Sequence, residues 1–225
     1  STIILCNGDS TGTATVINVS GGTPGVGGYT YLWDDPSSQT TPTATGLSAG
    51  LYTVTVWDTI ICAPQSFGIT IQEPTAITAI ENISHVSCNG GNDGSIDLSV
   101  SGGTPYTIGA PYTYLWSNGD TTSMATLLTV GSYTVEITDS NLCTRIYVFP
   151  ITEPAVPLSA TLTPSNYNGY NISCNGGNDG VLTANVVGGT PPYVVSWLGN
   201  NPSALAAGVY NYIVIDANGC SYNNF

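Results

Sequence analysis

An all-β fold of three tandem antiparallel β-sandwich repeats is predicted, and three observations predict it. One set of motifs occurs three times at a period of about 80 residues, the stretches between motifs alternate polar with apolar residues, and no stretch of helical length shows a period near 3.6 without a Gly or Pro break. The punctuation is dense, with 27 Gly and 14 Pro in 225 residues, as many short strands require.

The elements follow in order within each copy. CNGDSTG at 6–12 recurs as CNGGNDG at 88–94 and 174–180, so that the first cysteine steps by 82 and then 86 residues. A first strand precedes this turn and a second follows it. The second is clearest at 95–100, SIDLSV, where Ile, Leu and Val occupy every other position of a half-buried strand. GGTP at 21–24, 102–105 and 188–191 ends that strand. A third strand is YTYLW at 29–33 and 112–116, and YVVSW at 193–197. After two weaker strands comes YTVTVWD at 52–58, matched by YTVEITD at 133–139 and YNYIVID at 210–216. A last strand follows the second cysteine.

Two sets of aromatics have a packing role in this scheme. Trp33, Trp116 and Trp197 sit where immunoglobulin-like sandwiches bury a tryptophan. Tyr52, Tyr133 and Tyr210 each follow a Leu by five residues and a Gly by two, the arrangement of a tyrosine corner, whose hydroxyl bonds back to the chain. All six are read as structural core. The fold class is therefore Ig-like (PKD-like), three sandwiches in a head-to-tail rod.

Ile71-Gln72-Glu73-Pro74 and Ile151-Thr152-Glu153-Pro154 read as short, stiff linkers because proline removes a ladder donor. They divide the chain into 1–74, 75–155 and 156–225. The middle repeat is expected to be complete, the first to lack its first strand and the last to lack its last, as in a stretch taken from a longer array.

Composition excludes several function classes. The formal charge is −13, with Arg145 the sole Lys or Arg, so phosphate neutralisation on nucleic acid and docking on anionic lipid are excluded. Without lysine there is no P-loop, no Schiff base and no Lys–Asn isopeptide link. Charged residues are 7% and hydrophobic ones 41%, the reverse of a disordered acidic tail. No apolar run reaches the roughly 18 residues of a membrane span, and STIILCNGD lacks the basic start of a signal peptide. His85 stands alone beside a strand and has no counterpart in the other repeats, so no nucleophile–base pair is expected.

The ordered string of first Cys, NGG-NDG, GGTP, Y-T-Y-L-W, L-x-x-G-x-Y-T-V and D-x-N-G-C resembles the SprB-type repeat of giant cell-surface adhesins of gliding Bacteroidota. The resemblance covers nearly the whole chain, three times. YTVTVWD alone would suit PKD or other Ig-like modules equally. Departures fall in turns: CNGDSTG in the first repeat, DTIIC at 58–62 against DANGC at 216–220, and 13 residues from Trp197 to Tyr210 against 19 and 17 in the first two repeats. The resemblance implies a non-catalytic shaft of an exported surface filament, carried by the type IX system, used in attachment and gliding, and gripping a substratum or polysaccharide through other parts of the parent protein. The alternative is an array of carbohydrate- or surface-binding modules using Tyr29, Tyr106, Tyr112 and Tyr193. Lateral self-association through edge strands is a further possibility, interrupted by Pro150, Pro154 and Pro157.

Two cysteines per repeat point to an oxidising compartment. Their parity allows Cys6–Cys62, Cys88–Cys143 and Cys174–Cys220. The strand map favours staggered links instead, Cys6–Cys143 and Cys88–Cys220, because the two cysteines of one repeat fall at opposite ends of a strand about 20 Å long. Cys62 and Cys174 would then pair outside the chain. Reduced thiols are the third possibility.

Asp93 and Asp179 in the first turns, with Asp58, Asp139 and Asp216 in the last, form a calcium hypothesis at the repeat junctions. Turn chemistry is the competing explanation and the preferred one: NDG and DxNG are Asx-turn sequences. No other cofactor is expected. Asp9-Ser10-Thr11, Asp58-Thr59-Ile60 and Asp120-Thr121-Thr122 resemble a Bacteroidota O-glycosylation signal, making Ser10, Thr59 and Thr121 candidates. The N-linked signals at Asn18, Asn82 and Asn171 are discounted for a bacterial protein.

Overall fold

The computed structural model describes residues 1–23, 26–58 and 64–224. Among these residues there are sixteen strands and no helix. The chain divides into two compact units. The first comprises Ser1–Ile80, Ser99–Leu115 and Val135–Tyr147, and the second Glu81–Leu98, Trp116–Thr134 and Val148–Phe225.

The first repeat lies wholly within the first unit. Its strands are β1 (Gly12–Thr15), β2 (Thr30–Trp33), β3 (Thr43–Leu47), β4 (Gly50–Trp57) and β5 (Gln65–Ile71). One sheet has the order β1-β3, the other β2-β4-β5. Strand β4 shows why these residues form a sandwich. Its Tyr52, Val54 and Val56 are buried, while the intervening threonines face outward. Between the sheets, Ile4, Ala14, Trp33, Ala44, Leu47 and Ile71 complete the core. The Trp33 indole N–H donates to the Thr41 carbonyl at 2.9 Å, so burying the ring leaves no orphan donor. Among the described residues no strand comes before β1. Instead the Thr2 amide donates to the Thr13 carbonyl at 2.9 Å and the Ile4 amide to the Gln72 carbonyl at 3.1 Å.

The middle repeat contributes β6 (Thr78–Ser84), β7 (Gly94–Ser101), β8 (Thr113–Trp116), β9 (Met124–Leu128), β10 (Gly131–Thr138) and β11 (Thr144–Ile151). The sheet orders are β6-β7-β9 and β8-β10-β11. In immunoglobulin lettering these are A-B-E and C-F-G, the Ig arrangement with its D strand absent. Ile96 and Leu98 on β7 and Val135 and Ile137 on β10 are buried at alternate positions. Trp116 is also buried, and its N–H donates to the Thr122 carbonyl at 2.9 Å.

The third repeat lies in the second unit and carries β12 (Ser159–Pro164), β13 (Leu182–Val187), β14 (Val194–Ser196), β15 (Tyr212–Ile215) and β16 (Ser221–Asn224). β12 pairs with β13, and β15 lies between β14 and β16. Two expectations need correcting here. The last strand is present: Ser221–Asn224 pair antiparallel with Tyr212–Ile215, since four residues beyond the turn suffice for a ladder. Trp197 is half-buried and packs at the margin of a smaller core of Ala160, Tyr212 and Val214, its ring centroid 5.7 Å from that of Tyr212. The short stretch between Trp197 and Tyr210 explains this, because the strand that should cover the indole shrinks to a single bridge between Gly180 and Leu205.

The tyrosine corners occur in all three repeats. Tyr52, Tyr133 and Tyr210 donate their hydroxyls to the carbonyls of Ser48, Thr129 and Ala206 at 3.2, 3.1 and 2.9 Å. Tyr133 and Tyr210 are only half-buried, so they are corner residues rather than core.

Candidate functional site

The feature built twice in this chain, and nowhere explained by packing alone, is a stapled joint. In the first unit Cys6 of the first repeat is bonded to Cys143 of the second, with Cα atoms 5.5 Å apart. In the second unit Cys88 is bonded to Cys220, with Cα atoms 5.6 Å apart. Each disulfide joins the first turn of one repeat to the last turn of the next. Among the described residues Cys174 is the free cysteine, and it is exposed. Cys62 lies outside the described residues.

Local sequence positions each partner. In the turn carrying Cys6, Asn7 donates its side-chain amide to Glu73 Oε1 and to the Pro74 carbonyl, both at 3.0 Å, and the Gly8 amide donates to Glu73 Oε2 at 2.7 Å. The turn carrying Cys88 repeats this: Asn89 donates to Glu153 Oε1 and the Pro154 carbonyl, and the Gly90 amide to Glu153 Oε2 at 2.5 Å. Glu73 and Glu153 thus clamp the turn of their own repeat. In the sequence they read only as linker residues, although the recurring I-x-E-P sets them apart.

The opposing turn is organised by a buried aspartate. Asp139 accepts the amides of Asn141 and Cys143 on Oδ1, both at 2.9 Å, and that of Thr104 on Oδ2 at 2.8 Å. Asp216 does the same with Asn218, Cys220 and Thr190. Burial raises the Asp216 carboxyl pKa, but the amides of Thr190, Cys220, Asn218 and Gly219 outweigh it, and the net result lies below the ordinary value. Asn141 and Asn218 then reach across the joint. Their amides donate to the carbonyls of Leu5 and Ser87 at 3.1 and 3.0 Å, beside each disulfide. The D-x-N-x-C spacing was legible, but the role of its Asn was not.

These bonds correct the calcium hypothesis. The carboxylate oxygens of Asp139 and Asp216 are already taken by amide donors. Asp93 accepts the Ser87 amide and hydroxyl, and Asp179 the Ser173 amide at 3.1 Å, each inside its own turn. Their serine partners hold both carboxyls below the usual value. Among the described residues no group of three or more His, Cys, Asp or Glu is placed to hold a metal ion.

The proposed aromatic platforms are also otherwise engaged. Tyr29, Tyr112 and Tyr193 donate their hydroxyls to the carbonyls of Gly21, Gly102 and Gly188, at 2.6, 2.7 and 2.9 Å, locking the GGTP turns. Tyr112 is buried and Tyr106 half-buried. His85 Nδ1 accepts the Thr152 amide at 3.2 Å, a strand-edge bond. Ser10 and Thr121 are exposed, whereas Thr59 lies outside the described residues.

Ig-ordered sandwiches with disulfides between successive repeats define an extracellular, adhesin-type repeat module. The chain belongs to the SprB repeat family, whose profile matches residues 3–38, 80–121 and 166–202. No curated protein matches the sequence. Among solved structures, the three N-terminal domains of the highly immunogenic outer capsid protein (Hoc) of bacteriophage RB49 are 20% identical, covering 95% of this chain and 81% of that one at a TM-score of 0.35. The eight N-terminal Ig domains of Down syndrome cell adhesion molecule are 11% identical, covering 87% of this chain and 32% of that one at 0.39. Drosophila OTK extracellular domains 3–5 are 11% identical, covering 87% and 84% at 0.27. Among the described residues no helix is long and apolar enough to cross a membrane.

Proposed function

We propose that this chain is a non-catalytic, force-bearing shaft segment of a bacterial cell-surface adhesin filament, exported by the type IX system and used in attachment and gliding. The observation that carries the reading is the pair of interlocked disulfides. They make two nodes, Cys6/Cys143 and Cys88/Cys220. Three stretches of backbone run in parallel between those nodes, and the shortest is the 55 residues from Cys88 to Cys143 (143 minus 88). Even with every repeat unfolded, the nodes can separate only by that stretch, about 190 Å at roughly 3.5 Å per residue. A shaft stapled in this way passes tension covalently and limits how far it can lengthen.

Stretching single molecules from both ends tests this. Oxidised chains should lengthen by less than about 200 Å and reduced chains by several times more. Equal contour lengths in the two states would reject the shaft reading. Binding of the intact chain on a glycan array, lost on substituting Tyr106, would favour the binding-module alternative. The expected partners are neighbouring repeats and, through other parts of the parent protein, a substratum or polysaccharide. Ser10 and Thr121 are accessible to O-glycosylation, and mass spectrometry of the native protein would read it.

A further inference from the structure

The joint stapled by Cys6–Cys143 differs from the one stapled by Cys88–Cys220 in two charged residues, and both line one cavity. The first turn reads Cys88-Asn89-Gly90-Gly91 and Cys174-Asn175-Gly176-Gly177 in the later repeats, but Cys6-Asn7-Gly8-Asp9 in the first. Two residues beyond Cys143 stands Arg145, the sole Lys or Arg of the chain, where Tyr222 stands beyond Cys220. A cavity of about 340 Å³ is lined by Cys6, Asp9, Thr75, Cys143, Thr144 and Arg145, among others. Two departures from the repeat, opposite in charge, therefore meet at one place.

Among the described residues neither the Asp9 carboxylate nor the Arg145 guanidinium has a hydrogen bond or an ion pair, and both side chains are exposed. The other acid on the wall, Asp139, is buried with its oxygens taken by backbone amides. Both cysteines of the first staple line the same space and are half-buried. The second staple is built otherwise. Cys220 is buried, and Tyr222 turns toward the third core, its ring centroid 6.3 Å from that of Tyr212. A Cβ on Gly91 would lie 2.9 Å from Val86 Cγ1, so an acid does not fit there without a shift.

We propose that this cavity is a thiol-exchange site for a zwitterionic aminothiol of the cysteine class. The carboxylate of the ligand pairs with Arg145 and its ammonium with Asp9, which brings its sulfur to the disulfide. The ligand thiol gives up its proton to solvent, and the thiolate attacks Cys6 Sγ. The Cys6–Cys143 bond breaks as a mixed disulfide forms on Cys6, and the electron pair leaves on Cys143. The guanidinium two residues on favours that leaving thiolate. One disulfide replaces another, so the step needs no oxidant or reductant besides the aminothiol. The first joint is thereby released while Cys88–Cys220 stays closed. The site stands apart from the load-bearing reading, since exchange at this bond follows from the cavity whether or not the chain bears force.

The test uses the oxidised full chain with its free thiols first blocked by iodoacetamide. Cysteine is compared with mercaptoethanol, which lacks both charges, at equal thiolate concentration, and peptide mapping after an acid quench reads each disulfide. Cysteine should open Cys6–Cys143 about tenfold faster than Cys88–Cys220, leaving a mixed disulfide on Cys6, and mercaptoethanol should discriminate less. Arg145→Gln and Asp9→Ser should each remove most of the advantage of cysteine over mercaptoethanol. Both replaced side chains are exposed, so the variants keep the fold. Equal opening of the two disulfides by cysteine, opening of Cys88–Cys220 first, or an advantage of cysteine unchanged in both variants would overturn the proposal.

Discussion

The carboxylate of Asp139 accepts the Thr104 amide at 2.8 Å, and so ties the GGTP turn to the turn that carries Cys143. Because Asp139 is fully buried, this one side chain sets the geometry from which the disulfide to Cys6 departs. Asp139→Ala would leave the amides of Thr104, Asn141 and Cys143 without their acceptor. A buried unpaired donor costs about 1–3 kcal/mol, so a loss of at least ~2 kcal/mol is expected in urea denaturation. An unchanged midpoint would contradict this role.

Acid should weaken the protein in a defined window. Burial raises the carboxyls of Asp35 and Asp216, but the Gln39 side chain and then backbone amides at Asp35, and backbone amides at Asp216, hold both below their ordinary pKa, and the serine partners of Asp93 and Asp179 do the same. A depressed folded pKa contributes stability that is fully present above the unfolded value, about 3.9, and is lost as pH falls through the folded one. The melting temperature should therefore be flat from pH 7 to 5 and fall below about 4. Tyr112, whose pKa is raised by burial and then by the Asp139 charge, adds a second decline as pH climbs above about 10.

The staple is testable apart from mechanics. Digestion without reductant should release a Cys6–Cys143 peptide and a Cys88–Cys220 peptide, and a Cys88–Cys143 peptide would contradict the structure. Cys6→Ser removes one link and should cost about 2–4 kcal/mol. Cys174, exposed and unbonded, should react with iodoacetamide in the folded chain.

The two tryptophan environments predict unequal effects. Trp116 is buried and stands 6.3 Å, centroid to centroid, from Phe149, so Trp116→Ala should cost about 3–5 kcal/mol. Trp197, half-buried over the small third core, should cost clearly less. Fluorescence should show the same order, with Trp197 the more readily quenched by acrylamide.

Local chemistry made much of this architecture readable. The alternation in SIDLSV puts Ile96 and Leu98 on one face, and D-x-N-x-C bends the chain back on itself wherever it occurs. Repeats, strands and tyrosine corners depend on neighbours a few residues apart, and the chain displays those directly. Long-range meetings are different. That Glu73 closes the turn of Asn7 and Gly8 and that Asn141 reaches Leu5 are relations between residues far apart in the chain. Each depends on which strand ends the sandwich brings together. Recurrence marks such residues, as I-x-E-P marks Glu73 and Glu153, but the partner each side chain meets is set by packing in three dimensions.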